Sequence, residues 1–302
     1  MTPRLFKFTN VRGLTVKGIL YPATTKPGSP AAAGHDTGVV YLPGIVLGAT
    51  ATHRLGIDLA HQLARDGYPV CLFDPAGIGE SEGDYPAGTH QELASWIEAG
   101  SCVGDTLQTI DYLLEHAGVR QLVLIGHCGG ALTAMYAAAR HAAVVGVLLI
   151  CPPTVCQGEK EALDGPAEAA PPPPAPVAEP PSSSWLDRAI RGVRRPIDAM
   201  LGRGHAGEAP SRRATAAEKA FNRRLIEAVQ IARADGKRVE IVVGDRDPDV
   251  DAFRTFQRIY LPEGVGTRVL DGTSHGFVTA TSVALLFSEV GEFMATIGSA
   301  LF

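Results

Sequence analysis

The chain has no uninterrupted apolar run approaching the roughly 20 residues that cross a bilayer, so no membrane span is expected. Its opening residues, MTPRLFKFTN, hold no apolar signal-peptide core, and nothing in them points to secretion. Also missing is any basic block or patterned arginine stripe. The net charge is −5 with acids and bases interspersed, which argues against nucleic acid as a partner. Cysteine is sparse: Cys71, Cys102, Cys128, Cys151 and Cys156 are an odd number at wide spacings. That speaks against a disulfide framework and fits a reduced cytoplasm. Cys151 and Cys156 have no matching His/Cys pair nearby, so no zinc site is expected. No internal repeat is visible.

What is present is a chain of 302 residues, 45% of them apolar, enough for one large α/β domain with an insertion or for two ordinary domains. Short apolar runs closed by glycine or proline predict buried strands at Leu5–Phe8, Leu14–Tyr21, Gly38–Leu42, Tyr68–Phe73, Gln121–Ile125, Ala143–Ile150, Val239–Val243 and Thr267–Leu270. Helical spacing appears between them, at His53–Arg65, His90–His116, Ala131–His141, Ala214–Ala234, Val250–Ile259 and Ser282–Ile297. Strands that alternate with helices and are apolar throughout imply a mostly parallel, doubly wound sheet covered on both faces.

That alternation breaks after Cys151. A proline-rich stretch, AAPPPPAPVAEPPSSS, cannot form helix or sheet ladders and reads as an exposed loop. An amphipathic piece follows, with Leu186, Ile190, Val193, Ile197 and Leu201 at steps of three and four. Residues 1–152 and 212–302 are therefore read as the core, and 153–211 as an inserted cap or lid over the strand ends, where open α/β sheets bind ligands. A tethering linker is the plainer alternative. The lid is preferred because an amphipathic helix needs a surface to pack on.

The strongest local signal is Leu122-Val123-Leu124-Ile125-Gly126-His127-Cys128-Gly129-Gly130-Ala131. A buried strand runs into Gly-x-Cys-x-Gly and a helix follows at once, the arrangement of a nucleophile elbow with cysteine at its apex. So sharp a turn needs small flanking residues, and the helix N-terminus below it favours negative charge on the sulfur. A base is supplied by His275, in a glycine-flanked loop after the last strand. Of the other histidines, His35, His61, His90, His116, His141 and His205 read as solvent-facing, and His127 as a structural residue of the elbow. The orienting acid lies in Gly244-Asp245-Arg246-Asp247-Pro248, with Asp247 favoured by spacing and Asp245 in reserve. Backbone N–H groups of Gly129 and of the loop Pro43-Gly44-Ile45-Val46, Ile45 in particular, are placed to stabilise an oxyanion.

The order nucleophile, acid, histidine, each at a strand end, resembles the α/β-hydrolase superfamily from about Leu14 to Met294, the cap excepted. Asp74-Pro75-Ala76-Gly77-Ile78-Gly79-Glu80-Ser81 is similar to that family's structural turn after its central strands. The sequence departs from the pattern twice, with Pro43-Gly44 in place of His-Gly and Cys128 in place of serine, the latter as in dienelactone hydrolase-like enzymes. Gly48-Ala49-Thr50-Ala51-Thr52-His53-Arg54, the elbow and Cys151-Pro152-Pro153-Thr154-Val155 are similar to stretches of two bacterial groups, the exosortase-associated hydrolases and the acetate-eliminating hydrolase-fold enzymes of tetronate biosynthesis. That likeness would bring His53 and Arg54 to the substrate; a helix N-terminus facing solvent is the equal alternative.

The resemblance implies an α/β-hydrolase fold and a Cys–His–Asp triad acting through an acyl-enzyme on an ester or thioester of a small molecule. Elimination of acetate and acyl transfer are the alternatives, and a non-catalytic binding module is a third. No cofactor is implied, and the sequence leaves the substrate and the oligomeric state open.

Overall fold

A computed structural model describes residues 2–24, 36–44, 54–156 and 221–299. The expectations for Ile45, for His53 and for the proline-rich and amphipathic parts of the insertion fall outside these residues.

One eight-stranded sheet organises the chain. Its strands are β1 (Arg4–Thr9), β2 (Thr15–Tyr21), β3 (Thr37–Leu42), β4 (Val70–Asp74), β5 (Gln121–His127), β6 (Val144–Ile150), β7 (Arg238–Gly244) and β8 (Gly266–Leu270). They lie in the order β1-β2-β4-β3-β5-β6-β7-β8, with β1–β2 and β2–β4 antiparallel and all other neighbours parallel. The helices are α1 (Leu55–Arg65), α2 (His90–Glu98), α3 (Val103–His116), α4 (Gly129–Ala138), α5 (Arg223–Ala234), α6 (Val250–Tyr260) and α7 (Ala280–Ser299). This is the mostly parallel, doubly wound sheet that the alternation of apolar runs implied.

Every residue of β3 and β4 is buried, which is why these strands lack an apolar/polar alternation. The face covered by α1 and α7 meets Leu59, Leu63, Val290 and Phe293, all buried. On the other face α4 lies between β5 and β6 on one side and α2, α3 and α5 on the other, and all ten of its residues are buried. Its sequence, GGALTAMYAA, is rich in small residues because a helix enclosed on every side must let neighbours approach closely. Lys237 closes its far end, donating from Nζ to the carbonyls of Ala138 and His141. The stretch Ala280–Ile297 of α7 is long and apolar enough to cross a membrane by length and composition. Its Leu286, Val290, Phe293, Met294 and Ile297 are instead buried in the core.

Two helices depart most from the sequence reading. The single helix expected over His90–His116 is two: Thr89 opens α2 with a capping box to Glu92, and the chain turns at Gly100, φ +79°, before α3 begins. The apolar spacing runs on through this break and hides it. The helix expected from Ala214 begins, within the described residues, at Arg223. Asn222 caps it by accepting from the N–H of Leu225, and Phe221 pairs with Val155. The N–H of Asn222 also donates to the carbonyl of Thr154 at 2.9 Å. Residues on the two sides of 157–220 thus meet beside the end of β6.

The order of the strands fixes where a site can form. From β3 the chain crosses to β4 on one side and then to β5 on the other, so the carboxyl ends of β3 and β5 flank a switch point. The N-terminus of α4 sits against the end of β3 there: a Cβ on Gly130 would lie 2.3 Å from the carbonyl oxygens of both Leu42 and Pro43. Gly130→Ala is accordingly expected to lose about 2–4 kcal/mol of stability, because the clash is with backbone that cannot move aside. Gly291→Ala, in mid-α7 with nothing within 4 Å, is expected to gain up to about 1 kcal/mol. Denaturant melts of both variants check this.

Candidate active site

The turn between β5 and α4 places Cys128 at φ 53° and ψ −124°, a conformation that a residue with a side chain rarely adopts. The surroundings enforce it. The N–H of Cys128 donates to the carbonyl of Ile150 at 2.9 Å, and its own carbonyl accepts from Ala131 at 2.9 Å. A Cβ on Gly126 would lie 2.4 Å from the carbonyl of Gly130, so only glycine lets the two arms of the turn pass. The outcome is a half-buried thiol standing on the first turn of α4, where helix N–H groups have no partner within the helix. The loop after β3 runs alongside: a Cβ on Gly44 would sit 3.5 Å from that of Cys128. The next residue, Ile45, lies outside the described part of the chain.

His275 reaches the site from the loop after β8. That loop is latched to the end of β7 by two bonds, from Arg246 N–H to the carbonyl of Thr273 and from Thr273 N–H to the carboxylate of Asp245. The carboxylate of Asp247 accepts from His275 Nδ1 at 2.7 Å, leaving Nε2 as the free edge of a ring whose charge the sulfur of Cys128 favours. The structure therefore brings Cys128, His275 and Asp247 together. It directs Asp245 elsewhere, into backbone bonds that shape the loop.

The charges follow from these contacts. Burial opposes a positive His275, but the sulfur of Cys128 and the carboxylate of Asp247 outweigh it and hold the imidazole well above its usual range. Burial likewise opposes ionisation of Asp247. The bond from His275, its positive charge, the N–H of Asp249 at 2.9 Å and the thiol of Cys151 together bring the carboxyl below its usual value.

Two residues at the site escaped the sequence reading in part. His127 is buried, and its Nε2–H donates to the backbone carbonyl of His275 at 2.9 Å, with the ring centroids 5.5 Å apart. It is structural, as expected, but what it secures is the loop of His275. Cys151, one residue beyond β6, is buried at φ 45° beside the carboxylate of Asp247, which with burial holds its thiol well above the usual range. A signal for it existed, since Cys151 follows β6 as Cys128 follows β5, and the ends of those strands pair. The sulfur of Cys151 and the Asp247 and His275 side-chain atoms all lie within 4.8 Å of one another, a spacing metal ligands also show. Within this group, His275 and Asp247 are joined by the 2.7 Å hydrogen bond.

Other residues singled out in the sequence lie apart from this cluster. Arg54 is exposed at the start of α1, 3.8 Å from Asp58. Asp74 accepts from the N–H of Glu80 and shapes its turn, in which Gly77 has φ +86°.

Residues 39–171 match the family model described as alpha/beta hydrolase fold. No curated protein matches the chain. Among solved structures, the alpha/beta hydrolase GrgF from Penicillium sp. sh18 is 19% identical with a TM-score of 0.62, over 98% of this chain and 100% of that one. The Pyrococcus furiosus esterase Pf2001 is 16% identical with a TM-score of 0.57, over 98% of this chain and 91% of that one. A putative hydrolase from Agrobacterium vitis S4 is 19% identical with a TM-score of 0.54, over 97% of this chain and 99% of that one. At such identities the likeness establishes the fold, which is that of the α/β-hydrolases.

Burial lowers the pKa of His127 from 6.5 to about 4, and the nearby charge of His275 adds to the effect. The unfolded chain therefore takes up a proton at this residue that the folded chain refuses until about pH 4. Stability should fall by about 3 kcal/mol from this group as pH drops from 6.5 to about 4. His127→Gln keeps an N–H donor but cannot titrate. Urea melts across this pH range should show its proton uptake on unfolding reduced by about one.

Proposed function

We propose that this α/β-hydrolase-fold protein is an enzyme that transfers acyl groups to water, acting on an ester or thioester of a small molecule through a Cys128–His275–Asp247 triad. The observation that carries the reading is the chain of contacts from Asp247 through His275 to Cys128, at a strained turn above a helix N-terminus. Residues that merely fill a core have no need of a buried carboxylate, an imidazole and a strained thiol in one line. A Pyrococcus furiosus esterase of the same fold is consistent with it.

In this reading His275 Nε2 takes the thiol proton of Cys128, and the sulfur attacks the substrate carbonyl. Asp247 holds Nδ1 protonated and offsets the imidazolium charge. The N–H of Gly129, with a second donor from the loop that begins at Pro43-Gly44, stabilises the oxyanion. Collapse of the tetrahedral adduct expels the alcohol or thiol, which receives the proton from His275. Water activated by His275 then cleaves the thioester, releasing the acid and restoring the thiol. No step calls on a cofactor. The expected setting is cytoplasmic, where the thiol stays reduced.

The test is intact-protein mass after brief exposure to an activated acetyl ester. The wild type should gain one acetyl group, mapped to Cys128, and then lose it to water. Cys128→Ala should gain none. His275→Ala and Asp247→Asn should acylate slower by about 10²-fold or more, the usual weight of a general base. An adduct that forms equally fast without His275 would mean an ordinary exposed thiol and would sink the proposal. Release of free acetate with a new double bond and no acyl adduct would instead make the protein a lyase.

A further inference from the structure

The mechanism above gives Cys151 nothing to do, yet its side chain is as closely placed as any. It is 3% exposed, it lies one residue past β6, and its φ of 45° is a conformation that a residue with a side chain holds only when its surroundings compel it. The compulsion is visible. Its N–H donates to the carbonyl of Val242 at 2.8 Å, carrying the β6–β7 ladder one residue beyond the strand, and its sulfur lies within 4.8 Å of an Asp247 carboxylate oxygen.

We propose that Cys151 is a positioning residue, whose thiol donates a third hydrogen bond to Asp247 and so fixes the carboxylate that orients His275. Asp247 has two other donors. His275 Nδ1 meets Oδ2 at 2.7 Å, and the N–H of Asp249 meets Oδ1 at 2.9 Å. Asp249 belongs to the same loop as Asp247 and moves with it. His275 is the group to be oriented and cannot serve as its own reference. Cys151 is the remaining donor and follows β6, not the β7 that carries the acid, so its bond ties the loop of the acid to the central sheet. Burial and the charge of Asp247 keep the thiol protonated, so it remains a donor and never becomes a second anion beside the carboxylate.

The role rests on the acyl-transfer reading for its purpose, but it can be measured without a substrate. Cys151→Ala and Cys151→Val remove the donor, the second while keeping the space filled, and Cys151→Ser restores a donor. Two readouts apply to each variant: hydrolysis of an activated acetyl ester, and the pH profile of Cys128 alkylation by iodoacetamide, resolved by peptide mass from the half-exposed Cys156. The Ala and Val variants are expected to lose about tenfold in kcat with KM within about twofold, equivalent to about 1.4 kcal/mol for one hydrogen bond to a charged group. Their alkylation profiles should move to higher pH, and Cys151→Ser should stay within about twofold of the wild type in both readouts. Wild-type behaviour in the Ala and Val variants, or a serine variant as impaired as they are, overturns the proposal. If ester hydrolysis does not depend on His275 while the alkylation profile still moves in the Ala and Val variants, the acyl-transfer reading falls and the positioning role stands.

Discussion

Parallel pairing across β5, β6 and β7 is the constraint from which the site follows. His127 pairs with Ile150, and Ile150 with Val242, so β5 and β6 end on one level and β7 runs two residues beyond it. Backbone bonds carry the ladder one step further, from Cys128 N–H to Ile150 and from Cys151 N–H to Val242. Both cysteines emerge on that step at positive φ, where the chain must leave the sheet at once. Whatever follows a strand end in such a sheet is delivered to the same ledge. The glycines at 126 and 130 then let α4 begin immediately beneath the sulfur.

On that ledge the charges are mutually dependent. A buried carboxylate is costly unless its oxygens are satisfied, and a buried imidazolium is costly without an anion beside it. Asp247 and His275 meet both needs at 2.7 Å, and the sulfur of Cys128 lies on the far edge of the ring. Removing one member leaves the others with unpaired charge, so the three are expected to be coupled and not additive. His127 serves the same group without joining it. Kept neutral by burial, it grips the backbone of His275 and adds no charge.

Much of this was legible in the amino-acid order because the relevant rules are local. An apolar run that ends in Gly-x-Cys-x-Gly is a strand, a tight turn and a helix start within a dozen residues. His275 and Asp247 stood out as polar residues just past strand ends, and the choice between Asp247 and Asp245 turned on spacing alone. What the sequence could not convey was pairing across strands. The position of Cys151 after a strand end was visible, but its significance arises from the neighbour that β7 supplies. The break at Gly100 was hidden for a related reason, since apolar spacing continues through a turn that a single glycine makes. The start of α5 at Arg223 depended on a cap by Asn222 and on the pairing of Phe221 with Val155, and the second of these is again a contact between distant parts of the chain.

That last pairing also bears on how the protein can change. Val155 and Phe221 pair, so residues 157–220 are joined to the described chain at one fixed point. The entropy of closing a connection between two fixed points grows only with the logarithm of its length, about 0.6 kcal/mol for each doubling. Residues can be gained, lost or exchanged between those ends at small thermodynamic expense, while the ladder that holds Cys128, Cys151 and Asp247 is untouched. The fold thus keeps the ladder that holds the site apart from the point at which residues 157–220 join it.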